Sequence, residues 1–196
     1  MPGFSLTEFK ARGLIYGGAR PSQFSVDIFP PFQTENAQRI RYLCRAATTP
    51  PAILGEIRVP YMGRTAKVVG DREFPSWAVT MYNDDDFTVH TMFEKWSNQM
   101  NALVSNRMSE EMYPTAYKSQ AVVTQYNKLG DIIRQWELRG LWPSEVASMN
   151  LDWEAQNQIQ QFDVTFAYDE WAPYENEANG NAEDFTAVLS DDGLES

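Results

Sequence analysis

Over most of this chain apolar and polar residues alternate with a period of two, the mark of strands with one buried face. Phe24, Val26 and Ile28 alternate with Ser25 and Asp27, and Pro30-Pro31 ends the run. Residues 39–45 alternate in the same way and predict a second strand with its arginines outward. Thr48-Thr49-Pro50-Pro51 breaks the chain again. Ile57 and Val59 open a third strand and residues 64–69 return as a fourth, with Met62-Gly63 between them. Pro60 lacks an amide hydrogen, which confines that pair to a sheet edge or a projecting hairpin. Residues 77–82 are the most strand-like run. Residues 121–126 and 132–138 follow as a pair joined by the turn 127–131, and Gly140-Leu141-Trp142-Pro143 reads as punctuation. A last strand carries Phe162, Val164, Phe166 and Tyr168 on one side.

One segment departs from period two. Phe93, Trp96, Met100 and Leu103 recur at three- and four-residue spacing, and Asp85 or Asp86 stands ready to cap them, so a helix is expected here. Residues 105–117 are polar, include Pro114, and read as a loop. At the front, Ser5 to Glu8 have capping-box spacing and Gly13 would close a two-turn helix, too short to be stable unless it docks. At the back, residues 172–196 hold Glu175, Glu177, Glu183, Asp184, Asp191, Asp192 and Glu195 and no basic residue, a composition of disorder. The expected fold is mainly β: a β-sandwich or barrel of about seven or eight strands with one flanking α-helix. Its parts are an N-terminal arm (1–19), a β domain (20–171) and an acidic tail (172–196).

Composition removes several functions from this picture. At 196 residues the chain supports a real core, hiding roughly 70% of its surface. A net charge of −11 opposes specific nucleic-acid binding, which needs clustered Lys and Arg. The single cysteine, Cys44, excludes an internal disulfide framework, and the single histidine, His90, excludes His-rich metal sites. No apolar run is long enough to cross a membrane as a helix, and the first residues lack a signal-peptide core. The expectation is a soluble chain made inside the cell, with no membrane anchor and no cofactor.

Candidate chemistry is sparse. Asp84-Asp85-Asp86 could hold a hard cation, but a strand end entering a helix N-terminus also wants acidic residues, and no further ligands follow at Ca²⁺-loop spacing. His90 falls off the apolar stripe and reads as a surface or helix-edge residue. Cys44 reads as an inert core thiol. Asp152 with Glu154, or Asp163 with Asp169, could form a glycosidase-like pair, but with 27 acidic residues some pair always looks suggestive. Trp77, Trp96, Trp136 and Trp153 are assigned to core faces, Trp142 and Trp171 to corners or interfaces. No catalytic or metal residue is assigned.

Charge is unevenly placed. Residues 39–72 carry Arg39, Arg41, Arg45, Arg58, Arg64, Lys67 and Arg72 against Glu56 and Asp71, net +5, on an otherwise acidic chain. A basic hairpin on an acidic body suits head-to-tail association of identical copies.

The runs GDREFPSWAVTMYND (70–84), GLWP (140–143), LDW (151–153) and NQIQQFDVTFAYDEW (157–171), with Arg20-Pro21 ahead of Phe24, resemble the tail tube proteins of contractile-tailed bacteriophages. The likeness spans about residues 19–172. It implies a small β-sandwich with a flanking helix, six copies of which close into a ring by sheet pairing. Rings stack into a hollow tube inside the contractile sheath, which penetrates the host envelope and passes the viral DNA without binding it specifically. Tubes of type six secretion and of injection systems share that fold, and tube initiators and terminators are alternatives within it. The implied partners are further copies of the chain, the tail sheath, the baseplate hub or tube initiator, and a tape-measure protein in the lumen. The implied location is the virion, after synthesis in the bacterial host cytoplasm. The hairpin at 57–69 is implied to reach between rings, which nominates Arg58, Val59, Pro60, Tyr61, Met62, Gly63, Arg64 and Lys67. Six copies at −11 each carry −66 formal charges, which suits a conduit that does not hold DNA. The loop at 105–117 and the acidic tail depart from the family pattern, and no role is carried over to them.

Overall fold

The computed structural model describes residues 18–32, 37–108 and 113–173. The expected arm helix and most of the acidic tail lie outside the described residues.

The alternating runs form the expected sheet. Strand β1 (Phe24–Phe29) pairs antiparallel with β6 (Ser119–Tyr126), which pairs with β7 (Ile132–Val146). Strand β8 (Gln161–Ala167) joins β7 to β5 (Trp77–Tyr82), and β2 (Cys44–Ala47) closes the series. The short β9 (Glu170–Pro173), absent from the sequence reading, adds to the first part of β7. The two ends of the path, β1 and β2, touch beside helix α1 (Ala37–Leu43). Strands β3 (Ile53–Tyr61) and β4 (Arg64–Glu73) form a separate two-stranded ribbon.

Registration follows the hydrophobic code, because slipping one residue would turn every core side chain to solvent. Trp77, Val79 and Met81 on β5 face Phe166, Val164 and Phe162 on β8, and all six are buried. Val26 and Ile28 on β1 face Val123 and Ala121 in the same way. Helix α2 (Thr88–Met100) lies over this face, with the Phe93 ring 5.8 Å from Phe166 and 6.5 Å from Phe162. The Trp96 indole donates to the Tyr117 carbonyl at 3.0 Å, so its one polar atom is satisfied inside the core. Tyr117 closes α3 (Pro114–Tyr117), a single turn within the expected loop.

Strand β7 shows why Gly140-Leu141-Trp142-Pro143 is not a break. Up to Leu141 the strand pairs with β6, and from Trp142 onward it pairs with β8. The change of partner occurs around Gly140, whose φ of 66° is open to glycine and strained for other residues. A side chain there would also overlap the Asp169 carboxylate, which Lys118 Nζ holds at 2.7 Å. Gly140→Ala is therefore expected to cost about 1–3 kcal/mol, read as a fall in melting temperature. An unchanged melt would show that the bend accepts a Cβ.

The strand expected at 39–45 is a correction. Residues 37–43 are helical, and only the run from Cys44 is extended. A strand would have buried Ile40 and Tyr42 on one face, yet Ile40 is fully buried while Tyr42 is 82% exposed. Ile40 and Leu43, three apart, both meet the core, which is helical spacing. The arginines diverge accordingly: Arg41 makes a bidentate pair with Asp27 at 2.6 Å, and Arg39 turns to Asp84 and Asp86. The chain thus has three helices among the described residues, where one was expected.

Candidate assembly surface

Most of the candidate enzyme groups have structural employment. The Asp86 carboxylate accepts from the Thr88 amide at 3.0 Å, while Arg39 bridges it to Asp84. Asp84 and Asp86 thus fasten α1 to the entrance of α2. The bond from Thr88, aided by Arg39, holds the Asp86 carboxyl down from 3.8 to about 2. A lowered carboxyl pKa stabilises the fold above its unfolded value, and that contribution drains away as pH falls through the folded one. Asp86→Asn should melt earlier than the parent near neutral pH, and the gap should close from 3.8 down to about 2. A gap constant across that window would detach Asp86 from the effect.

Asp152 accepts from the Glu154 amide at 2.9 Å, Asp163 from the Thr80 hydroxyl at 2.6 Å, and Asp169 from Lys118. His90 corrects the surface assignment: it is buried, with its ring 5.0 Å from Phe162 and edge-on to it. Burial pushes the Cys44 thiol up to about 12, far from the thiolate a nucleophile needs. Among the described residues, no three His, Cys, Asp or Glu side chains gather as a metal site. Trp77 and Trp96 are core residues as expected, and Trp136, Trp142 and Trp171 pack partly against the core. Trp153 is not: it is fully exposed. Leu103 also lies exposed, beyond the end of α2.

The exposed surface concentrates on the β3–β4 ribbon. Met62 and Gly63, with φ of 43° and 76°, turn the chain with both central residues left-handed, the turn whose twist suits a two-residue hairpin. Cross-strand partners share a face, so the register sorts the side chains. Ile57 faces Val68, Val59 faces Ala66 and Tyr61 faces Arg64, which makes one side apolar apart from the tip. On the other side Arg58 faces Lys67 and Pro60 faces Thr65, and Glu56 pairs with Arg58 at 2.7 Å and Lys67 at 2.8 Å. The basic charge found in the sequence is therefore spread over two structures. Arg39 and Arg41 belong to the body, and two of the ribbon's cations share one carboxylate. What the charge count hid is the apolar side: Ile57, Val59 and Val68 remain about half exposed. Their alternation with Arg58 and Pro60 was the signal for it.

The ribbon leaves the body at Pro51, whose carbonyl accepts from the Tyr168 hydroxyl at 2.9 Å and the Trp171 indole at 3.2 Å. Residues 19–174 match the family model for the phage tail tube protein. The chain belongs to the phage tail tube protein family. Its function is that of a tail tube subunit. It is 34% identical over 158 residues to the tail tube protein gp19 of Enterobacteria phage T4, covering 78% of this chain and 90% of that protein. To the tail tube protein of Serratia phage KSP90 it is 29% identical over 168 residues, covering 84% and 94%. Two solved structures share the tail tube fold at low identity. One is a chain in the structure of the anti-feeding prophage tube-terminating cap, with TM-score 0.59, 16% identity and coverage of 81% and 92%. The other is in the extended sheath–tube complex of an extracellular contractile injection system, PVC, with TM-score 0.56, 13% identity and coverage of 89% and 100%.

Proposed function

We propose that six copies of this chain close into a ring, and that rings stack into a hollow conduit inside a contractile sheath. The ribbon supports this reading: a lone subunit would not hold a two-stranded arm with an apolar side out in water, because exposed ribbons of this kind invite pairing. Residues 20–171 form the tube body, with the arm (1–19) and the acidic tail (172–196) as appendages. The segment from Arg58 to Lys67 makes the contact between rings. The role is mechanical rather than catalytic: Asp152, Asp163 and Asp169 each accept a hydrogen bond within the fold. The tube sits in the virion tail, meets sheath and baseplate along its outside and ends, encloses the tape-measure protein, and passes DNA through a lumen of acidic subunits. Synthesis takes place in the host cytoplasm.

Negative-stain electron microscopy of the purified full chain, across a concentration and salt series, tests the reading. Rings and hollow rods are the expected result. Particles that stay monomeric under every condition, even with a baseplate template supplied, would remove the self-assembling tube.

A further inference from the structure

The second exposed surface lies at the opposite end of the subunit. A groove of about 840 Å³ opens between β5, β8 and the loop 147–160. Leu151 and Trp153 stand on this loop with 87% and 100% of their surface exposed, and Ile159 joins them at 63%. The loop is tied down at both ends, by the Ala147 amide on the Asp163 carbonyl and the Asn83 amide on the Gln160 carbonyl, each at 2.9 Å. Its apolar side chains are thus presented on an anchored frame.

The β5–β8 register fixes where groove and ribbon lie. Trp77 faces Phe166 at the end where Pro51 launches the ribbon, and Tyr82 faces Gln161 at the groove. Six residues of strand, about 17–20 Å, separate the two. A projecting apolar surface at one end and a concave one with exposed Leu and Trp at the other are the two halves of a heterologous contact, which propagates along a line of identical copies. Charge fits as well. Arg64 at the ribbon tip has no carboxylate partner among the described residues, and Asp152 at the groove is engaged only by a backbone amide.

We propose that the groove between the loop 147–160 and strands β5 and β8 receives the apolar side of the β3–β4 ribbon of a second copy of this chain, with Trp153 against the ribbon and Asp152 facing Arg64. The inference rests on the tube reading and adds the receiving surface to it.

The test uses the full chain carrying Cys44→Ala. One preparation also carries Ala66→Cys, on the apolar side of the ribbon beside Val59, and the other carries Ala155→Cys in the groove. The two are mixed under assembly conditions, treated with a short bis-maleimide, mapped by peptide mass spectrometry and imaged in parallel. The expected product is a dimer linked from position 66 to position 155, formed by the mixture and by neither preparation alone. Rods lacking this link, or linked elsewhere, overturn the groove while leaving the tube reading intact. The link without rods supports the groove and counts against the tube. Neither link nor rods overturns both. Independently, Trp153→Ala should raise the concentration needed for rods about tenfold or more with the monomer melt unchanged, since that side chain touches nothing it could destabilise. Rods at the parent concentration would overturn the proposal.

Discussion

Aspartate in place of Ile57, Val59 and Val68 is expected to abolish rods and leave a folded monomer. These side chains share one side of the ribbon and keep about half of their surface in water. Completing their burial against a neighbour is worth about 1 kcal/mol each, so losing all three weakens each contact by ~10²-fold. Three carboxylates forced into the contact add a desolvation cost of several kcal/mol. The ribbon contributes little to the core, so melting temperature and circular dichroism should match the parent. Glu56→Gln on the other side removes only exposed ion pairs, each worth about 0–1 kcal/mol, and should leave rods intact. Rods from the triple aspartate variant, seen by electron microscopy, would show that the apolar side is not where copies meet.

Trp77→Ala acts on the opposite kind of surface. Trp77 is fully buried, its ring lies 5.6 Å from Phe166, and its indole donates to the Thr48 carbonyl at 2.6 Å. Truncation leaves a cavity between β5 and β8 and an unpaired carbonyl, for a combined loss of about 3–5 kcal/mol. For a domain with roughly 5–15 kcal/mol of stability, this is a large share of the total. Urea titration should show the midpoint falling with little change in slope. A loss under about 1 kcal/mol would mean that the site collapses around the gap.

The strands that read most clearly were those whose two sides meet different surroundings. Trp77 to Tyr82 and Phe162 to Tyr168 bury alternate side chains against each other and α2, so period two is written into them. Residues 39–45 carry the same alternation for another reason. Arg39 and Arg41 reach different carboxylates on opposite sides of a short helix, and Tyr42 is simply exposed. Local pattern cannot tell a charge placed for a distant partner from a charge placed for water. His90 was misplaced because burial beside Phe87 and Phe162 depends on β8, 72 residues away in sequence. Trp153 was sent to the core by its type alone, although its neighbours Asp152 and Glu154 form a turn of their own. The ribbon was legible as a projection, through Pro60 and Met62-Gly63. Its amphipathic character needed the register, which only the fold supplies.

The shared strand β7 also governs how the subunit comes apart. It belongs to both halves of the sheet, pairing with β6 and β9 up to Leu141 and with β8 from Trp142 onward. Neither half can open without releasing a strand that the other needs, so the body behaves as one foldon rather than two. Amides in the β1–β6 pair and in the β5–β8 pair then exchange with solvent through the same global opening. A subunit pulled on by its neighbours has no half-open state in which to rest, so it yields as a whole or not at all.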